Sequence, residues 1–316
     1  MGGGGTDLPP YSSKYGGFVV TSALNKHIYV LVKDRFEEEV RVSYSTTEIV
    51  RSVDDIKHPV VREGLRLLGF KEHLEIVSAA DVPAETGLGS SGSFTVGLLH
   101  ALHAFKDEHP SRVDLAEEAS RLEMEVLREP CGVQDTYIAA FGGFTCLDIA
   151  KNGQVDVSPL NIRDDIVREL ENNLLFFYTG IKRSAPSVLE DQAKRIEKDN
   201  SGAVDAMHYI KEIGFRVKHA LERGDLGEFG KLQHEHWMAK KKTSPEISNS
   251  PIDKWYKRAL NCGASGGKIM GAGGGGFLML YCENGKDKVR KAMSREGLGE
   301  VRFQFQSEGS KVIIDI

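Results

Sequence analysis

The sequence predicts an α+β fold, in which β-sheets pack against amphipathic helices. Runs rich in β-branched and aromatic residues predict strands at 18–24, 27–32, 39–44 and 73–78. Apolar residues spaced three and four apart predict helices at 59–68, from about Ser91 onward, and at 114–127, 203–222, 226–240 and 253–262. Further strands are expected at 141–149, 174–179 and 277–282, and a helix at 289–293 followed by strands at 301–306 and 311–316 gives a β-α-β-β ending. Sheets and helices are therefore expected in both halves of the chain.

The composition is that of a globular protein with a sizeable core. The chain has 316 residues, 40% of them hydrophobic and 28% charged, which suits one large or two medium domains. We expect the domain boundary in the charged run 163–173, which divides the chain into 1–168 and 169–316. The net charge of −5 argues against nucleic-acid and membrane-surface partners, for which a basic excess is expected.

Two further features concern the cellular compartment and the cysteines. No apolar run reaches membrane-spanning length and no signal sequence is recognisable, so we expect a cytoplasmic protein. We expect either a monomer or a homodimer. The cysteines Cys131, Cys146, Cys262 and Cys282 are scattered without a Cys-x-x-Cys pair. We therefore expect neither a zinc site nor a disulfide framework.

The stretch Pro-Ala-Glu-Thr-Gly-Leu-Gly-Ser-Ser-Gly at 83–92 leads directly into a predicted helix. The apolar stripe of that helix is formed by Phe94, Leu98, Ala101, Leu102 and Phe105. Helix N-termini offer unpaired amides and a partial positive charge, and Gly87 and Gly89 allow a tight loop around an anion. Ser90 and Ser91 either cap the helix or ligate a magnesium ion carried by the phosphates. The stretch therefore predicts a phosphate site, with an ordinary capped helix as the alternative.

A second stretch, Glu-Pro-Cys-Gly-Val-Gln-Asp-Thr-Tyr at 129–137, breaks the chain between two predicted helices. The helix before it, at 114–127, has Asp114 as its expected cap. From spacing alone, Asp135 fits the cap of the helix that follows.

Two basic or glycine-rich segments lie in the second half. Glycine is dense at 263–276. Ordering so many glycines costs much backbone entropy, so we do not expect a plain linker here. A flexible hinge remains an alternative. The lysines at 240–242 fit the charge preference of a helix C-terminus and are expected to be a solvated end.

Three motifs of the sequence resemble those of the GHMP kinases, the superfamily of galactokinase, homoserine kinase, mevalonate kinase and phosphomevalonate kinase. The stretch at 83–92 resembles their phosphate-binding motif, with Gly92 where alanine is usual. Gly-Gly-Gly-Gly-Thr-Asp-Leu-Pro at 2–9 resembles the first motif of the sugar-1-kinases, most closely the D-glycero-D-manno-heptose 7-phosphate kinases. Lys-x-x-Gly-Ala-Gly-Gly-Gly-Gly at 268–276 resembles the third motif. The resemblance implies a two-domain GHMP kinase fold, with an N-terminal domain like ribosomal protein S5 domain 2 and a ferredoxin-like C-terminal domain.

The chain departs from the heptose kinases at its start. In those proteins a strand that carries an arginine precedes the first motif, whereas here the motif follows Met1 directly. The role of that arginine is therefore not carried over to this chain.

The resemblance implies an ATP-dependent sugar kinase, a phosphotransferase with an alcohol group as acceptor. Its leading substrate is D-glycero-D-manno-heptose 7-phosphate, phosphorylated at C1 to the 1,7-bisphosphate in nucleotide-activated heptose biosynthesis. The alternatives are another sugar-1-kinase, acting on fucose, galactose or an unphosphorylated heptose, and a sugar sensor of the same fold without turnover.

The resemblance also implies the site residues. Pro-Cys-Gly-x-x-Asp matches the segment that supplies the catalytic base, which implies that role for Asp135. Glu123 lies where the superfamily often has its magnesium-binding glutamate, with Glu125 as a competitor, and Ser91 is the second implied Mg²⁺ ligand. Implied ATP contacts are Pro83, Gly87, Leu88, Gly89, Ser90, Ser91, Gly273 and Gly274. Implied contacts to the sugar phosphate are Gly4, Gly5, Thr6, Asp7, Thr179, Gly180, Gly275, Lys182 and Arg183, the last two for the phosphate of the substrate.

Overall fold

The computed structural model describes residues 1–84, 86–181, 185–198 and 201–315. Its helices are α1 (Pro9–Tyr15), α2 (Pro59–Leu67), α3 (Ser90–Phe105), α4 (Arg112–Arg121), α5 (Gln134–Phe141), α6 (Asp164–Asn173), α7 (Ala185–Glu197), α8 (Ser201–Arg223), α9 (Leu226–Thr243), α10 (Ser250–Asn261) and α11 (Lys286–Arg295). Its strands are β1 (Gly17–Ser22), β2 (Ile28–Asp34), β3 (Val40–Ser43), β4 (Thr47–Val50), β5 (Leu74–Ala80), β6 (Phe144–Ile149), β7 (Val155–Pro159), β8 (Leu174–Tyr178), β9 (Gly266–Ile269), β10 (Phe277–Tyr281) and β11 (Gly299–Val301). The predicted mixture of sheets and helices is confirmed.

The chain forms two compact units. The first unit comprises Met1–Asn25, Glu85–Leu88 and Gly143–Gln306, and the second comprises Lys26–Ala84, Gly89–Gly142 and Ser307–Ile316. The chain therefore passes between the units several times, twice inside the phosphate-type motif at 83–92, between Ala84 and Glu85 and between Leu88 and Gly89. The domain boundary expected between residues 168 and 169 stays a prediction.

The second unit is built on a four-stranded sheet of order β2-β5-β3-β4, in which β3 and β5 are parallel and the other pairs antiparallel. One face packs against α2 and α3, and its core includes Val40, Val42, Val61, Leu65, Leu74, Ile76, Leu98 and Leu102. Phe105, predicted to belong to the buried stripe of α3, is 36% exposed. That part of the prediction is wrong because α3 ends at this residue, beyond the edge of the core.

The first unit contains an antiparallel sheet of order β1-β6-β7 and an antiparallel sheet of order β11-β8-β10-β9. The core on the four-stranded sheet includes Leu175, Phe177, Trp237, Ile252, Leu278, Leu280, Val289 and Met293. The predicted stripe of α8 is confirmed, since Met207, Ile210, Ile213 and Val217 are all fully buried. Strand β9 lies inside the glycine-rich stretch and was not predicted, because glycine carries no side chain that could show a strand pattern.

The predicted β-α-β-β ending is wrong. After α11 the short β11 pairs with β8, and residues 302–306 contribute only a bridge between Phe305 and Leu24. Residues 311–315 form no strand, and Val312, Ile313 and Ile314 are 41%, 71% and 75% exposed. Strand propensity alone does not order a segment that finds no sheet to pair with and no apolar surface to cover.

The helix expected at 114–127 is also different in detail. Its α-helical part starts at Arg112, and Ser111 rather than Asp114 is the N-cap. The two side chains form a capping box, in which Ser111 Oγ accepts from Asp114 N at 3.1 Å and Asp114 Oδ2 accepts from Ser111 N at 3.2 Å. The helix ends early because residues Leu122–Val126 form a π-helical turn.

None of the helices in the described part of the chain combines the length and the apolar character that crossing a membrane requires.

Candidate active site

The N-terminus of α3 has the properties of an anion site. Gly89 occupies the N-cap position with a left-handed φ of 71°, which glycine adopts without strain, and no side chain caps the helix. Ser90 and Ser91 are the first residues of the helix, so the alternative in which either of them caps it is wrong. The first intrahelical bond is from Ser93 N to Gly89 O at 3.0 Å, which leaves the amides of 90–92 without an intrahelical acceptor. These amides and the helix dipole favour a bound anion.

Asp135 lies directly against this helix start. A Cβ atom on Gly89 would be 3.0 Å from Asp135 Cγ and 3.1 Å from Oδ1, and one on Gly92 would be 3.0 Å from Asp135 Cβ. A Cβ at either position would require Asp135 or the first turn of α5 to shift by a few tenths of an ångström. Asp135 is the second residue of α5, whose N-cap position is held by Val133, so Asp135 is not the cap that its spacing allowed.

The structure distinguishes the two glutamates that compete for the metal. Glu123 is 4% exposed and its Oε1 accepts hydrogen bonds from Ser91 Oγ at 2.8 Å and Thr95 Oγ1 at 2.9 Å. Glu125 is exposed to solvent. Burial raises the pKa of the Glu123 carboxyl above its ordinary value, and the two hydroxyl donors oppose that rise.

Glu123 lies in a π-helical turn. Within Leu122–Val126 the helix is widened, and the amide of Leu127 donates to the carbonyl of Leu122, five residues back, at 3.0 Å. Such turns are rare and often occur at functional sites. Glu123 faces α3, where Ser91 and Thr95 donate to its Oε1, and regular 3.6-residue periodicity does not reveal the turn.

Ser91 and Glu123 suit a magnesium ion. Mg²⁺ prefers hard oxygen ligands and is usually held by one or two carboxylates together with substrate phosphates. Glu123 Oε2 contacts only the Cys131 thiol in the described part of the chain, at 3.9 Å, which is the long limit for a sulfur hydrogen bond. That carboxylate oxygen and the exposed Ser91 hydroxyl therefore fit the ion, whereas the described residues contain no cluster of three or more His, Cys, Asp or Glu that could hold a metal alone.

A buried hydroxyl pair, which sequence reasoning missed, connects α4 with the segment that carries Asp135. Ser120 Oγ and Thr136 Oγ1 are 2.6 Å apart, and Thr136 Oγ1 donates to Val133 O at 2.9 Å. Because Thr136 has donated its proton to the carbonyl, Ser120 is the donor of the shorter bond. The pair holds the first turn of α5 in place beside the end of α4.

In the first unit, the glycine turn at 2–7 is tightly ordered. Gly3 has a φ of 75°, and a Cβ there would overlap the carbonyl oxygen of Phe18. Thr6 is fully buried, its hydroxyl donates to Gly3 O at 2.7 Å, and it accepts from Phe18 N at 3.1 Å. Asp7 Oδ1 accepts from Gly5 N at 3.1 Å. Thr6 therefore stabilises the turn, and the implied sugar contacts of Gly4, Gly5, Thr6 and Asp7 stay predictions.

The third glycine motif, at 268–276, makes close main-chain contacts with other parts of the protein. Gly274 N donates to Ile247 O at 2.8 Å and Gly276 N donates to Ile181 O at 3.0 Å. A Cβ on Gly275 would lie 2.4 Å from Ile181 O, and one on Gly273 would lie 3.0 Å from Ile247 O. These glycines let main-chain segments pack closely, and the nucleotide contacts implied for Gly273 and Gly274 and the sugar contact implied for Gly275 stay predictions.

Lys240 contributes to the same loop, since its ammonium donates to the carbonyl of Gly271. Lys240 is half-buried, so the expectation that 240–242 is simply a solvated end is wrong for this residue. The loop also packs against the first part of the phosphate-type motif, because a Cβ on Gly87, whose φ is 80°, would lie 2.6 Å from Met270 O.

The remaining implied contacts differ in accessibility. Thr179 is buried and its hydroxyl donates to Gly276 O at 2.8 Å, whereas Gly180 and Pro83 are exposed and Leu88 is half-buried. Lys182 and Arg183 lie outside the described residues. Their implied role as phosphate anchors stays a prediction from the sequence.

Comparison with known proteins gives matches along most of the chain. Residues 55–143 match the GHMP kinase N-terminal domain, and residues 217–298 match the GHMP kinase C-terminal domain. The two matched stretches lie on either side of the boundary expected between residues 168 and 169.

Individual relatives match nearly the whole length. A Campylobacter jejuni protein named D-glycero-α-D-manno-heptose 7-phosphate kinase is 30% identical over 328 residues, which cover 98% of this chain and 95% of that protein. A galactokinase from Pyrococcus furiosus is 27% identical over 271 residues, which cover 78% of this chain and 74% of that enzyme. The crystal structure of a D-glycero-D-manno-heptose 1-phosphate kinase from Bacteroides thetaiotaomicron superimposes with a TM-score of 0.81 at 26% identity, covering 99% of this chain and 96% of that one. The predicted two-domain GHMP kinase fold is therefore confirmed.

Proposed function

Because this chain belongs to the GHMP kinase family and is an ATP-dependent kinase, we propose that it phosphorylates the C1 hydroxyl of D-glycero-D-manno-heptose 7-phosphate. The product is the 1,7-bisphosphate. One observation supports the proposal most directly. The carboxylate of Asp135 lies next to Gly89, at a helix start without a side-chain cap. This arrangement provides a proton acceptor beside a phosphate site, which is the minimum that phosphoryl transfer to a hydroxyl requires.

The proposed mechanism divides the work among residues of the second unit. The amides at the start of α3 hold the phosphates of ATP and stabilise the charge that develops on the transferred group. Asp135 accepts the proton of the attacking hydroxyl and orients that oxygen toward the phosphorus. Ser91 and Glu123 would hold the magnesium ion, which would neutralise phosphate charge when it is bound.

Sugar recognition is the role proposed for Asp7, Lys182 and Arg183. The 30% identity to a heptose 7-phosphate kinase supports a heptose, and the implied cations Lys182 and Arg183 suit a substrate that already carries a phosphate. Asp7 is a suitable acceptor for sugar hydroxyls, because a carboxylate forms strong, charge-assisted hydrogen bonds.

The second candidate is another sugar-1-kinase, acting on galactose, fucose or an unphosphorylated heptose. The match to a galactokinase over 78% of this chain supports this second candidate. The names of the two heptose-kinase relatives also differ in the position of the phosphate, 7 in one and 1 in the other. Both heptose monophosphates therefore belong in the test.

The test is ADP release from ATP and Mg²⁺ with a panel of D-glycero-D-manno-heptose 7-phosphate, the 1-phosphate, the free heptose, galactose and fucose. We expect the highest kcat/KM with the 7-phosphate, and phosphorus NMR of the product should show a new anomeric phosphate. Preference for a neutral sugar would replace the proposal with the second candidate, and preference for the 1-phosphate would exclude C1 as the acceptor. ADP release with none of the panel would exclude all of these substrates.

A further inference from the structure

Thr95 and Ser91 converge on a single oxygen of Glu123. Thr95 Oγ1 donates to Glu123 Oε1 at 2.9 Å, and Ser91 Oγ donates to the same oxygen at 2.8 Å. The two donors are four residues apart on α3 and therefore lie on the same face of the helix. Among the described residues, the second oxygen, Oε2, has only the long 3.9 Å hydrogen bond from the Cys131 thiol.

The two donors differ in their surroundings. Ser91 is exposed, so water can replace Glu123 as the partner of its hydroxyl. Thr95 is fully buried, and the other acceptor near its hydroxyl is the Ser91 carbonyl at 3.2 Å. The Thr95 hydroxyl therefore keeps its bond to Glu123 when the Ser91 hydroxyl turns toward a ligand.

We propose that Thr95 is a positioning residue, which holds Oε1 of Glu123 so that Oε2 stays directed at the metal ion of the bound nucleotide. The inference rests on the proposed function in one respect, because it assumes that Glu123 and Ser91 are the metal-binding pair. Removing the Thr95 hydroxyl leaves a buried carboxylate oxygen short of a donor, and the carboxylate is then free to rotate. Loss of a hydrogen bond that orients a metal ligand typically weakens metal affinity by about 10- to 100-fold.

The test measures Mn²⁺ binding to the enzyme–ADP complex by electron paramagnetic resonance, which needs no turnover. We expect Thr95→Val to raise the Kd for Mn²⁺ by about tenfold or more, while the Kd for ADP without metal stays within about twofold. Thr95→Ser, which restores the hydroxyl, should bind Mn²⁺ within about threefold of the unmodified protein. Should the valine variant fail to fold, Thr95→Cys, whose thiol is a weak donor, should weaken Mn²⁺ binding by an intermediate factor.

Thr243→Val is the matched control. Thr243 is also fully buried at a helix and its hydroxyl donates to Lys240 O at 2.8 Å, so the control removes a similar hydrogen bond. It should lower the melting temperature without changing the Kd for Mn²⁺. The proposal is overturned if Thr95→Val and Thr95→Cys bind Mn²⁺ as tightly as the unmodified protein, or if Thr243→Val weakens binding equally.

The outcome is independent of the substrate panel. A protein that phosphorylates galactose instead of a heptose phosphate, yet loses Mn²⁺ affinity in Thr95→Val, would refute the proposed substrate and support the role of Thr95. If the unmodified enzyme–ADP complex binds no Mn²⁺, the metal-binding pair and the role of Thr95 are both excluded.

Discussion

Two glycine-rich segments of this protein look alike in sequence but use glycine differently. At the start of α3, Gly89 and Gly92 leave space that the side chain of Asp135 occupies, and the helix start stays without a side-chain cap. In the loop 271–276, the missing side chains are replaced by main-chain carbonyls, and the amides of Gly274 and Gly276 already have protein acceptors. Glycine density alone therefore does not indicate a nucleotide contact.

Substitutions in the two segments should therefore have different effects. At the start of α3 a small change should alter turnover while the fold persists, since the neighbouring atoms belong to Asp135, the proposed proton acceptor. In the loop, a side chain would meet backbone that cannot move without disturbing Ile181, Ile247 or Thr86. Substitution there should lower the free energy of unfolding first.

The largest effect is expected from Asp135→Asn. Without a proton acceptor at this position, kcat should fall by between about 10²- and 10⁴-fold, while the Kd for ATP and the melting temperature stay nearly unchanged. Coupled-assay kinetics and a nucleotide titration measure these quantities. Retention of full kcat would remove Asp135 from the mechanism, and a large loss of ATP affinity would show that it serves mainly to shape the phosphate site.

A smaller effect, on stability, is expected from Gly276→Ala. Its φ is 82° and the new Cβ would lie 2.2 Å from Thr86 O. Gly297→Ala is the matched control, because Gly297 has the same φ of 82° but no neighbour within 4 Å among the described residues. The control should lose about 1 kcal/mol through backbone strain, and Gly276→Ala should lose about 2–3 kcal/mol more in urea denaturation. Equal losses would mean that the loop yields easily and the contrast between the segments is wrong.

The smallest effect is expected from Gly92→Ala. The new Cβ would lie 3.0 Å from Asp135 Cβ and from Thr136 N, so α5 must shift by a few tenths of an ångström, and kcat should fall by about three- to tenfold. In the same helix, a Cβ on Gly97 would meet Val30 Cγ2 at 3.5 Å, an ordinary van der Waals contact, and no other neighbouring element within 4 Å among the described residues. Gly97→Ala should raise stability by up to about 1 kcal/mol through helix propensity and leave kcat unchanged. Equal kcat in both variants would show that the position of Asp135 tolerates such a shift.

Sequence reasoning recovered the features that local pattern encodes. The stripe of α8 and the beginning of α3 could be predicted because apolar spacing and a glycine-serine motif are local signals. The catalytic role of Asp135 was predicted through the resemblance, because its spacing alone favoured a cap, and that role stays a prediction.

Features that depend on distant partners could not be predicted. The spacing of Ser91 and Thr95 shows that they share a helix face, but their shared partner, Glu123, is on a different helix. Strand β9 has almost no side-chain signal and exists because β10 pairs with it. The exposed segment 311–315 shows the converse, in which strand-like composition has no sheet to join.

The widened turn at Leu122–Val126 has a consequence for comparing this protein with its relatives. A π-helical turn holds one residue more than the regular helix it interrupts, so every position beyond it is rotated by about a quarter of a circle. An alignment that treats 112–126 as one unbroken helix places the residues after the turn one position out of register with a relative that lacks it. Aligning these kinases correctly here requires a one-residue gap whenever the relative lacks the widened turn.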